Sequence, residues 1–292
     1  GMSNPMERCR SGSYPRLVEE RGAVSPSGVD QRVMDHYAAI DEDDRLWNPG
    51  EGELIRLRTW DIFDRYLPTN GRVLDVGGGP GTHASHLAGL GFDVTLIDPI
   101  PRHISAARRR ANDGPHFDAR LGDAFQLPAD DSSIDVVVLM GPLYHLRRPG
   151  DRARAITEAR RVLRPGGTLL AEAIGRYAWL LDATNQQLLD TPEIFEDFAT
   201  NIATGHNIAD RRHRDGGFWA YMHHPDELTE ELRTAGFDDV RLVAVESFAW
   251  LLDDLVERMH DSGPLLRAVR LTETEPSMVG CSAHIIGACH RP

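Results

Sequence analysis

Cysteine is scarce in this chain: Cys9, Cys281 and Cys289 are the three among 292 residues. None stands at a metal-binding spacing, and on one strand the last two would lie roughly 26 Å apart at about 3.3 Å per residue, so free thiols in a reducing cytoplasm are expected. Long apolar stretches are missing as well. No run exceeds that of Val136 to Met140, against the roughly twenty residues that a spanning helix needs, so a soluble protein without a membrane partner is expected. Basic charge is in deficit, 32 Lys and Arg against 45 Asp and Glu for a net −13, which disfavours nucleic acid as a partner. Residues 1–30 hold no apolar run and are rich in Gly, Pro and Ser. They carry no signal-peptide pattern and are expected to be mobile.

Apolar residues make up 41% of the chain, enough for a substantial core. Among them is VLDVGGGPG, residues 73–81, with Asp75 inside an apolar strand and Gly77, Gly79 and Gly81 at alternate positions. Without a Cβ these glycines let a ligand approach the backbone. THASHLAGLG, residues 82–91, continues with helical spacing, so the amides of the turn point into a crevice at a strand's carboxyl end. Spacing then separates the kinds of nucleotide turn. A dinucleotide fingerprint wants glycine at the first, third and sixth positions, and from Gly77 the sixth is Thr82. The order acid, any, Gly, any, Gly, any, Gly instead resembles the first motif of the class I methyltransferases that use S-adenosylmethionine. An NAD-dependent oxidoreductase and a non-catalytic module that holds the same donor are the alternatives.

Further along, FDVTLIDP ends a second strand in Asp98, where an acid accepts from ribose hydroxyls, and PRHISAARRRAND reads as a helix with Pro101 in its first turn. HFDARLGDAFQLP supplies a third strand, and IDVVVLMGPLYHL a strand buried on both faces that ends in a Gly-Pro turn. The helix around Ile156 and Ala159 stops at RPGG before the strand TLLAEAIG. This alternation predicts an α/β, doubly wound, mostly parallel sheet. The resemblance implies a seven-stranded Rossmann-like sheet whose last strand, SAHIIGACH, is antiparallel, with HPDELTEELRTAGF as the helix before the sixth strand. Trp250, Leu251, Leu255 and Met259 follow a helical pattern suited to packing. The implied organisation is an N-terminal helical lid at 31–70, a donor-binding core at 71–174, a helical cap and substrate insertion at 175–224, and completion of the sheet at 225–292.

By the resemblance, S-adenosylmethionine is the cofactor and S-adenosylhomocysteine its product. Asp75 then orients the glycine turn or the amino acid end of the donor, Asp98 binds ribose, Asp123 the adenine amino group and the Ala124 amide the ring. Pro99 and Phe125 would wall the adenine, and the backbone at Met140 and Gly141 would accept from the donor's ammonium. Tyr37, Arg45 and Arg58 are candidates for the donor's carboxylate, Tyr37 foremost, although Tyr37 with Ile40 also suits packing. Asp41 to Asp44 read as a solvated turn.

On the acceptor side, Tyr144 and His145 follow the fourth strand, and His145 is a candidate general base or hydrogen-bonding group. The insertion is far longer than the usual βα connection and rich in aromatics, which makes Trp219, Tyr221, His223 and His224 candidate substrate contacts. His83 and His86 stand at i,i+3 without an acidic or Cys partner at a known metal spacing, so no metal is expected. RRHRDGG reads as a polar turn. The expected activity is in-line methyl transfer to oxygen, nitrogen or carbon of a small organic acceptor, by a monomer or homodimer.

Overall fold

The structure is a computed structural model that describes residues 30–39, 45–208 and 219–292. Residues 1–29, Ile40, the Asp41 to Asp44 turn and RRHRDGG lie outside the described residues.

Helices α1 (Gln31–Ala39) and α2 (Glu51–Tyr66) precede the sheet. Runs rich in Val, Ile and Leu then form β1 (Arg72–Val76), β2 (Asp93–Asp98), β3 (Asp118–Leu121), β4 (Ile134–Leu139) and β5 (Leu163–Gly175), parallel in the order β3-β2-β1-β4-β5. Between them run α3 (Thr82–Gly89), α4 (Pro101–Asp113), the short α5 (Pro142–His145) and α6 (Pro149–Val162). The last three begin on proline, whose missing N–H costs nothing in a first turn. After β5 come α7 (Ala178–Asn185), α8 (Pro192–Thr204), β6 (His206–Ile208), β7 (Trp219–His223), α9 (Pro225–Thr234) and β8 (Asp238–Ala244). The chain ends with α10 (Leu255–Met259), α11 (Gly263–Thr272), α12 (Pro276–Val279) and β9 (His284–His290).

β9 is antiparallel to both β5 and β8, so the seven strands implied by the motifs are present in the order β3-β2-β1-β4-β5-β9-β8. The insertion differs from a purely helical cap. It contributes the antiparallel pair β6 and β7, which brings the sheet to nine strands, and β7 joins β5 in parallel at Ile174↔Met222 and Gly175↔His223. The cause lies in strand length. β5 outlasts β4, whose last pair is Leu139↔Ala171, and the exposed edge beyond Ala171 is taken up by β7, packed beside α5.

Both faces of the sheet are covered. Ile156 and Ala159 of α6 and Leu228 and Leu232 of α9 pack on one side; Ile62 and Phe63 of α2, Leu87 of α3 and Ala107 of α4 pack on the other. Alternation along β9 sends Ile285 to the first layer and Ile286 to the second. Trp250, Leu255 and Met259 join a third cluster with Leu54 and Tyr144, the packing role their pattern indicated, although a 3-10 turn at Ala249–Leu251 and α10 replace one continuous helix. The carboxyl ends of β1, β2, β4 and β5 are thereby left facing a crevice.

Candidate active site

The chain leaves β1 through the glycine turn into α3. Gly79 has φ +55°, and a Cβ built there would meet no heavy atom within 4 Å, so its α-carbon opens onto a cavity. Its neighbours serve the fold instead. A Cβ on Gly77 would lie 2.6 Å from the Pro142 ring, one on Gly81 2.7 Å from the Phe117 ring, and one on Gly78 2.5 Å from Asp75 Oδ2. Gly78, which the alternate spacing passes over, is thus the residue that lets the turn cross above Asp75.

Asp75 is fully buried, and neither carboxylate oxygen has a hydrogen-bond partner at ordinary geometry among the described residues, although the Ala84 amide faces it. Burial, reinforced by the nearby charge of Asp98, pushes its carboxyl up to about 7. Asp98 itself is satisfied by protein. Its Oδ2 accepts from the Gly79 amide at 3.0 Å, while Oδ1 accepts from the Ile100 amide at 2.8 Å and from His103 Nδ1 at 3.1 Å. Of about four lone-pair positions on a carboxylate, three are therefore taken, which leaves room for one ribose hydroxyl rather than the two anticipated. His103 is the residue that the motifs missed. In the tautomer that donates through Nδ1, its Nε2 is an acceptor, and that atom is buried without a partner among the described residues. A histidine in the first helical turn after an acid-ended strand was the available signal.

Asp123 Oδ1 accepts from the Phe125 amide at 2.7 Å, which leaves its other oxygen for a ligand. Pro99, Ala124, Phe125, Met140 and Gly141 line the same cavity as Gly77, Gly79 and Asp98. The cavity spans about 1190 Å³ with the open solvent at its mouth included. Gly81 and Asp75 support the turn from behind rather than line it.

Beyond the glycine turn the lining includes Tyr37 and Val33 from α1, Arg45 and Leu46, Tyr144 and His145 from α5, Glu172 from β5 and His284 from β9. Tyr37 and His145 are joined by a 2.7 Å hydrogen bond between the phenol and Nε2, and the Tyr37 ring meets His103 edge-on at 5.4 Å. His145 lines the cavity, and burial lowers its pKa to about 3 although the Trp219 backbone carbonyl faces the ring and opposes this. A ring held that far below neutrality is a poor proton acceptor, which favours the hydrogen-bonding role of His145 over the general-base one. Arg58 is corrected too: fully buried, it is bound to Asp61, Glu273 and the Val245 carbonyl, away from the cavity.

The four insertion candidates do not line the cavity. His223 is fully buried against Glu231 at 3.2 Å; His224 caps α9 in a capping box with Glu227; Tyr221 bonds Glu227 at 3.2 Å beneath the Arg152 guanidinium. Trp219 lies under Arg32 and Arg147, and only its backbone reaches the site, through His145. These side chains anchor β7 to the sheet edge, so aromatic content there serves docking rather than contact with a ligand.

Residues 73–167 match a family model described as a methyltransferase domain. An uncharacterised methyltransferase of Mycobacterium tuberculosis is 42% identical over 110 residues, 37% of this chain and 42% of that protein. The chain thus spans less than half the length of that relative. A ubiquinone biosynthesis O-methyltransferase of Cereibacter sphaeroides is 30% identical over 202 residues, 66% of this chain and 74% of that protein. Among solved structures, a SAM-dependent methyltransferase of Methanosarcina mazei shares the fold with a TM-score of 0.56 at 24% identity, over 79% of this chain and 96% of that one. With the glycine turn, Asp98 and Asp123 in one cavity and a relative of that identity matched over most of its length, the chain belongs to the class I S-adenosylmethionine-dependent methyltransferase family.

Proposed function

We propose that the protein transfers a methyl group from S-adenosylmethionine to oxygen or nitrogen of a small organic acceptor enclosed in this cavity. The observation that carries the reading is the empty space before Gly79, flanked by Asp98 and Asp123 and continuous with a roofed, mostly apolar chamber. The residues present fit the donor. Asp98 and His103 Nε2 offer one acceptor each to the two ribose hydroxyls, Asp123 and the Ala124 amide suit an adenine edge, and Pro99 and Phe125 suit its faces. The carbonyls at Met140 and Gly141 serve an ammonium and Arg45 serves a carboxylate, while the Tyr37 phenol gives its one O–H to His145 Nε2.

The donor supplies an electrophilic methyl on a sulfonium, a reaction that needs alignment and exclusion of water more than a reactive side chain. Val33 and Tyr37 of α1 roof the chamber. The Tyr37–His145 hydrogen bond fastens that roof to α5, at the end of β4. Such a lid favours a small acceptor over a polymer, because a macromolecular substrate needs an open approach.

Calorimetry tests the donor half: S-adenosylhomocysteine should bind the protein and NADH should not. Tight NADH binding with no response to S-adenosylhomocysteine would sink the reading. Labelled methyl transfer across a panel of phenols, alcohols and amines tests the acceptor half, and donor binding with no product on any of them would favour a non-catalytic donor-holding module.

A further inference from the structure

Glu172 sits one residue beyond the last β4–β5 pair, at the carboxyl end of the sheet. It is 8% exposed, lines the cavity, and makes no hydrogen bond or ion pair with any described residue. A carboxyl enclosed in that way carries an unmet desolvation cost unless a ligand brings it a donor. Its neighbours do not fill the need. His284, diagonally across on β9 where it pairs with Ile174, gives its Nδ1 proton to Glu246. Glu246 already takes Ser282 Oγ and the His284 amide at 2.9 Å each as well as that ring, and it does not line the cavity. Burial works against a charged His284, yet Glu246 lifts it to about 9. Burial likewise raises the Glu172 carboxyl, while His284 and Arg45 pull it down and Glu246 opposes them. Of the two acids, Glu172 is the one that makes no hydrogen bond with any described residue and lines the ligand space.

We infer that Glu172 receives the methyl acceptor: a small alcohol, phenol or amine lays its O–H or N–H on the Glu172 carboxylate and surrenders that proton to it. The inference rests on the donor-binding reading above. The balance is simple. The acceptor's lone pair forms the new bond to the methyl carbon, the electrons of the broken S–C bond stay on sulfur, and the acceptor's proton ends on Glu172. A carbon acceptor brings no such donor and would leave Glu172 unmet, which is why oxygen and nitrogen are preferred here.

The test uses two donor-site probes and needs no known acceptor. S-adenosylhomocysteine has no group at the transferred-methyl position, and its analogue sinefungin carries a primary ammonium there. Both are titrated into the wild type and Glu172→Gln. Sinefungin should outbind S-adenosylhomocysteine by roughly tenfold in the wild type, with that preference lost in the variant while S-adenosylhomocysteine binds both alike. An equal preference in both proteins overturns the inference. Failure of both probes to bind the wild type overturns the donor reading instead, so the two failures are separable. Should Glu172→Gln not fold, the wild-type ratio followed from about pH 5 to about pH 8 decides: it should rise as the carboxyl ionises, and a flat ratio counts against Glu172.

Discussion

Gly78 and Gly79 are neighbours with opposite duties, and alanine at each should separate fold from binding. At Gly79 the backbone φ of +55° makes alanine strained by about 1–2 kcal/mol, and with no atom within 4 Å of the new methyl no clash adds to that. The Gly79 amide can still donate to Asp98. The methyl would, however, occupy the space in front of the turn, so affinity for S-adenosylhomocysteine should fall at least tenfold, about 1.4 kcal/mol. At Gly78 the Cβ would stand 2.5 Å from Asp75 Oδ2 and 2.7 Å from Leu96 Cδ1, both packed inside the sheet. Overpacking there should cost about 1–3 kcal/mol or more of stability. Urea unfolding and calorimetry on the two variants read both quantities. A Gly79→Ala protein that binds S-adenosylhomocysteine within about twofold of wild type would show that the donor does not lie against this turn, and would refute the reasoning.

Asp75 supplies a pH prediction. Its folded carboxyl is raised from 3.8 to about 7, so between those values the unfolded state holds fewer protons and stability falls as pH rises through the window. From about pH 5 to about pH 7 the loss amounts to about 2–3 kcal/mol, and Asp75→Asn should lack it; a wild-type-minus-variant difference that is constant between about pH 5 and about pH 8 in urea titrations would refute this. Asp98→Ala should weaken S-adenosylhomocysteine by about 1–3 kcal/mol, and an unchanged affinity would place the ribose elsewhere. Tyr37→Phe should cost about 0.5–1.5 kcal/mol of stability by removing the bond to His145. In that variant the His145 ring should still be neutral at about pH 5 by NMR, since burial is the first cause of its depression; titration near its ordinary value would contradict that cause.

The residues proposed for the donor could be picked out in the sequence because they are local. Asp75, the glycines, Asp98 and Asp123 fall at strand ends between residues 72 and 123, and strand periodicity places strand ends without knowledge of the rest of the fold. The acceptor half proposed above rests on Glu172 beside His284, which only the sheet order brings to one cavity. Even there one signal was present. Glu172 interrupts the apolar strand TLLAEAIG as Asp75 interrupts VLDV, and an acid inside a strand buried on both faces has the same claim to function in either place. The insertion misled for a different reason. Its aromatics count toward burial, but Phe198 with Ile194 and Ala183 closes a small core of its own, and Tyr221, His223 and His224 spend their polar atoms on Glu227, Glu231 and the α9 terminus. Composition reports that a segment is buried without saying against what. That depends on the unpaired edge which β5 keeps beyond β4, a register fact that no window of residues contains. No described residue of the hairpin docked on that edge lines the cavity, so substitutions of Trp219 that keep the backbone in place should alter acceptor choice far less than a change at Glu172.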